Sequence, residues 1–157
     1  MINATLQSVA VGNLVNLKTA FEVKNGHVLS VGAKDSAEVY AGVLPATATL
    51  GTEPLVLIFN DETTKNDYDN ITTGSTHVAG TILRGYYLTA GDKVDFDALL
   101  LDGSPAVGKY LIPQNGSGKL VVADDLTDET KLAFQIKAAT KIGFAKRNAW
   151  EAVVISA

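Results

Sequence analysis

The stretch DDLTDETKLAFQIKAATK, Asp124 to Lys141, decides the fold class of this chain, because it can be read in two ways. Leu132 and Ile136 stand four residues apart, as on one helical face, and the acidic residues ahead of them would suit a helix N-terminus. Leu132, Phe134 and Ile136 also alternate with Ala133, Gln135 and Lys137, the period of a half-buried strand. Phe134 falls off a narrow helical stripe but belongs to the alternating set. The strand reading is therefore preferred, which leaves at most one short helix, near Asp124 to Ala139.

Working outward, the neighbouring segments agree with a β reading. KIGFA and WEAVVIS frame Lys146-Arg147-Asn148 as a hairpin. KVDFD places Val94 and Phe96 on one side and Asp95 and Asp97 on the other. VGKYLIP ends a strand at Pro113, and the loop Gln114 to Gly118 leads into KLVVA. Towards the N-terminus, LVLIF (Leu55 to Phe59) is unbroken apolar, as expected of a strand covered on both sides. VYAGVL and VAGTILRGYYL are further β segments, with bends expected at Gly80 and Gly85. Asn25-Gly26 lies between Phe21/Val23 and Val28/Leu29/Val31, which predicts a hairpin with a type I′ turn. The whole reads as a single β-rich domain over residues 1–157, sandwich-like or a partly closed barrel.

Composition narrows the function classes. The 157 residues are 46% hydrophobic and only 19% charged, and 17 acidic against 13 basic side chains give a net charge of -4. That balance offers no electrostatic reason to expect nucleic acid or an anionic membrane as partner. No cysteine is present, so disulfides, thiolate nucleophiles and cysteine-based metal sites are excluded. MINATLQSVAVGN has neither a basic n-region nor a sustained apolar stretch, so no targeting segment is read there.

The motifs yield little chemistry. The window NDETTKNDYDN, Asn60 to Asn70, gathers Asp61, Glu62, Asp67 and Asp69. It lacks the central glycine and terminal glutamate of a calcium loop and reads as a solvated connection, with weak calcium binding through Asp67 and Asp69 as the sharper alternative. His27 and His77 form no metal motif. Ser104 lacks the setting of a nucleophile elbow, and Asn115 to Lys119 lacks the spacing of a phosphate loop. The expectation is a protein that is not an enzyme, with no cofactor and no structural metal. Tyr86 and Tyr87 are adjacent, so on a strand one faces the core and the other solvent or a partner. Trp150, the only tryptophan, suits core packing or a contact between subunits. Ile2, Leu6, Val9 and Val11 follow no single period. Residues 1–16 thus read either as an extended arm lying against a neighbour or as a first strand of the chain's own sheet.

GDKVDFD, GKYLIPQNGSGKLVVAD and FQIKAATKIGFAKRNAWEAVVIS together resemble the head decoration, or auxiliary capsid, proteins of tailed bacteriophages. The likeness runs from Gly91 to Ala157 and rests on a G-x-x-x-x-P step at Gly108 to Pro113, an Asn115-Gly116 turn, and a final strand pair around Ile142 to Phe144 and Trp150 to Ile155. It implies a structural virion protein, assembled in the host cytoplasm, that binds the outside of a shell of major capsid protein and stabilises it, with possible self-association. It implies no catalytic residue. The glycine/proline-rich anchoring arm of the smallest trimeric decoration proteins is absent, so oligomeric state and mode of attachment stay open. Phage tail, baseplate and fibre proteins use similar β material. A carbohydrate-binding module is the alternative from another class, and it requires Tyr86, Tyr87 or Trp150 on a concave, solvent-facing patch.

Overall fold

The computed structural model describes residues 2–5, 13–47, 53–60, 76–126, 130–143 and 146–157, with residues 2–5 described by their backbone. In chain order the strands are β1 (Ile2–Thr5), β2 (Leu14–Thr19), β3 (Val23–Lys24), β4 (Val28–Ser36), β5 (Val39–Val43), β6 (Leu55–Ile58) and β7 (Thr76–His77). They continue as β8 (Ile82–Tyr86), β9 (Lys93–Asp97), β10 (Leu101–Asp102), β11 (Tyr110–Pro113), β12 (Leu120–Ala123), β13 (Ala133–Ile142) and β14 (Arg147–Ser156). The fold is mostly β. Among the described residues helix is confined to one 3-10 turn, Ala98–Leu100, which breaks the alternation after β9 and turns Leu99 to solvent while Leu100 is buried.

Five strands close a barrel in the order β2-β5-β4-β6-β8, with β2 returning to pair β8. All its pairings are antiparallel except β2 with β5. A seven-stranded sheet, β1-β9-β14-β13-β11-β12-β10, carries the rest of the chain. The barrel is thus spliced between β1 and β9, which pair with each other from Ile2 opposite Phe96 to Thr5 opposite Lys93.

Strand β6 explains how the two units join. Val56 and Ile58 point into the barrel with Leu17, Leu29 and Leu83. Leu55, Leu57 and Phe59 point the other way, into a core shared with Val94, Phe96, Phe134 and Ile136 of the sheet. An unbroken apolar run is what a strand needs when both faces are covered, and LVLIF divides its side chains between the two cores as that run predicts. Phe96 and Phe134 meet edge to face at the centre of the shared core, 5.2 Å apart and inclined at 87°.

The ambiguous stretch is a strand from Ala133 onward, while its residues 127–129 lie outside the described residues. Phe134 and Ile136 are wholly buried on β13, Gln135 is half-buried and Lys137 exposed. Register shifts at Ala133/Phe134 and Ile136/Ala138 bend β13 against β14. The hairpin predicted at Asn25-Gly26 is not formed. A turn is present there, with Gly26 at φ 96° and His27 N–H donating to Lys24 O, but β3 pairs with β7 and β4 joins the barrel. Only Gly26 is left-handed, so the turn is not type I′. The cause is long-range. The buried Asn25 side chain donates to Asn60 O (2.8 Å) and its Oδ1 accepts from Asn60 N (3.0 Å) with His77 Nε2 beside it, a tie across the chain that a local hairpin would break.

Candidate binding surfaces

The first surface is the side of the seven-stranded sheet facing away from the barrel. Leu111, Leu120 and Phe134 point inward, so their neighbours point out. Registration aligns Ala123, Tyr110, Gln135, Val153 and Lys93 in one row across β12, β11, β13, β14 and β9. A second row runs Asp102, Val121, Ile112. Apart from the exposed Lys93 these residues are all half-buried. Tyr110, Ile112, Val121 and Val153 give this face a weakly charged apolar centre.

The second surface is on the barrel. Strands β4 and β6 face the sheet, and β2, lying between β5 and β8, is on the far side of the ring. There the residues alternating with buried Leu17 and Leu83 project outward in three rows: Leu14 with Tyr86, Asn16 with Arg84, and Lys18 with Ile82. On the other flank Asn16 stands opposite Val39 of the parallel strand β5. Two adjoining hollows of about 520 and 580 Å³ lie over these strands and share Asn16, Glu38 and Arg84. Tyr40 lines one; Tyr86, Ile82 and Asn60 line the other. The Tyr86 ring is backed by Phe59, 6.2 Å between centroids. Asn60 Oδ1 accepts from Arg84 N at 2.8 Å, tying the floor of the hollow to β8. Among the described residues the Arg84 guanidinium and the Glu38 carboxylate form no ion pair.

At the seam between the units, Val28 N–H donates to Gly118 O (2.7 Å) and Gly116 N–H to Pro45 O (2.7 Å). His27 is wedged there. Burial, aided by the charges of Lys24 and Lys119, lowers its pKa to about 4. Nearby, the Glu53 carboxylate collects Ser30 Oγ–H, the Ala46 N–H (3.0 Å), and both the N–H and the Oγ–H of Thr47. These donors favour the charged form and hold its pKa down at about 2.

The residues singled out in the sequence are scattered by the fold. Tyr86 lies on the barrel hollow, whereas Tyr87 packs against the barrel core, where burial raises its hydroxyl pKa. Trp150 sits opposite Phe96 at the margin of the shared core, not on either surface. Ile2 lies in β1, so residues 2–5 form an edge strand of the chain's own sheet; Leu6, Val9 and Val11 lie outside the described residues. So do Asp61, Glu62, Asp67 and Asp69. Sequence reasoning missed Asn16, Glu38 and Arg84. The alternation of Ile82, Arg84 and Tyr86 was a usable signal, but neither the antiparallel pairing that sets Asn16 opposite Arg84 nor the parallel pairing that brings Glu38 to Asn16 leaves a local mark. No protein-family model, curated protein or solved structure matches the chain.

Proposed function

We propose that the chain is a structural virion protein that binds the outer surface of an assembled phage capsid and stabilises it. The observation that carries this reading is the outward face of the seven-stranded sheet. Tyr110 and Ile112 of β11, Val121 of β12 and Val153 of β14, with Gln135 of β13 between them, form a nearly neutral strip, on the unit built from the residues that resemble decoration proteins. Apolar burial contributes about 25 cal/mol per Å² before association costs, whereas an exposed ion pair contributes about 0–1 kcal/mol. A weakly charged attachment face therefore suits this chain. Binding the assembled shell and not free subunits stabilises the shell by linkage, and many modest contacts on a symmetric lattice act together.

Cosedimentation with bare mature shells tests the reading. The chain is expected to pellet with shells, and Ile112→Glu with Val153→Glu to release it while circular dichroism stays unchanged. Retention of the double variant would move the contact elsewhere; failure of the unaltered chain to pellet with any shell would reject the capsid role. Labelling on whole particles separates capsid from tail, baseplate or fibre.

A further inference from the structure

We propose that the barrel hollow over β5, β2 and β8 is a saccharide site that takes a neutral pyranose, on the opposite side of the molecule from the sheet face assigned above to shell attachment. The polar groups fit vicinal hydroxyls. Arg84 offers a planar fork of N–H donors, Glu38 a pair of acceptor oxygens, and Asn16 one of each kind; the register sets Asn16 directly opposite Arg84. A sugar presents adjacent hydroxyls that donate and accept at once, so it can satisfy all three. Tyr86, half-buried and propped by Phe59, supplies a fixed aromatic wall, and Ile82 and Val39 add apolar contact for the C–H face of a ring.

Charge selects among ligand classes. Arg84 and Glu38 cancel within the shared part of the hollows, so an anionic sugar or a phosphate gains the arginine and loses against the glutamate. A purely apolar ligand would strip water from both charges without replacing it. Lys18, the next cation along β2, is already 3.7 Å from Asp35. The volumes match clefts that hold small ligands, and the solvent-open form suits a weak subsite along a glycan. The hollow contains none of the sheet-face residues, so sugar binding there is independent of shell attachment.

The test is an amide-shift titration of the full, isotopically labelled chain with methyl glycosides of glucose, galactose and mannose, alongside methyl glucuronide. At least one neutral glycoside is expected to shift the amides of Asn16, Arg84 and Tyr86 at millimolar concentration. Arg84→Leu and Glu38→Gln, whose side chains hold no ion pair among the described residues, should each weaken that binding about tenfold while leaving the rest of the spectrum in place. Shifts with the glucuronide alone would overturn the neutral class. Undiminished shifts in both variants would put the sugar elsewhere, and no shift with any glycoside would sink the site. Crosslinking of β2 or β8 to capsid subunits, with no sugar response, would reassign the hollow to a protein contact.

Discussion

Gly118 has no side chain where His27 sits: a Cβ at that position would lie 2.8 Å from His27 Nδ1 and 3.0 Å from its Cβ. The contact reaches the root of the histidine, not only its ring tip, so rotation of the side chain cannot relieve it. Gly118 O also accepts the Val28 N–H that joins sheet to barrel, which leaves the loop little room to retreat. Gly118→Ala is therefore expected to destabilise the chain by about 1–3 kcal/mol, the usual cost of forced overpacking. Urea unfolding measures it, and an unchanged midpoint would mean that the seam yields easily.

The same histidine gives a pH signature. Its folded pKa of about 4 lies below the ordinary value of 6.5, so between the two the unfolded chain binds the proton and the folded chain does not. Its contribution to stability is complete above pH 6.5, falls as pH drops through that window, and levels off below about 4, with a total on the order of 3 kcal/mol or less. His27→Gln should flatten the stability curve in that window. A curve that keeps its slope in the variant assigns the effect to another group.

A buried ion pair anchors the end of β9. Arg147 Nη2 lies 2.7 Å from Asp97 Oδ2, with side-chain exposures of 15% and 2%. Asp97 Oδ1 also accepts the Leu99 N–H and caps the 3-10 turn. Arg147→Met withdraws this cation from the buried carboxylate and is expected to cost about 3 kcal/mol or more. Adding Asp97→Asn should return part of that loss, a coupling that a double-mutant cycle reads directly.

The fold was legible where burial leaves a periodic trace. Phe134 resolved the ambiguous stretch as a strand, and LVLIF announced a strand covered twice. What the sequence could not reveal is pairing at a distance. Asn25-Gly26 carries the local mark of a hairpin, but Asn25 spends its side chain on Asn60, and the chain on either side of the turn goes to different sheets. Ile2 has no visible partner because Phe96, opposite it, is a barrel's length away in sequence. The hollow shows the same limit. Tyr86 stood out as an aromatic of interest, whereas Arg84 and Asn16 become neighbours only through ladder pairing.

A second, lower pH window belongs to Glu53. Four donors converge on its carboxylate, two from the Ser30 and Thr47 hydroxyls and two from the Ala46 and Thr47 amides. Its folded pKa of about 2 lies below the ordinary 4.5, so its contribution is present above pH 4.5 and is lost as pH falls towards 2. The window adjoins that of His27 but does not replace it, and in both cases acid weakens the fold. Glu53→Gln keeps one acceptor and turns an N–H₂ towards the remaining donors, so some of those bonds go unmade. A loss of about 1 kcal/mol at neutral pH is expected, with a flatter acid limb below pH 4.5 and the His27 window intact. Ser30→Ala removes one donor and should give a smaller loss in the same direction. If Glu53→Gln leaves the acid limb unchanged while His27→Gln flattens it down to pH 2, the histidine seam alone governs acid unfolding and the Glu53 cluster contributes nothing to it.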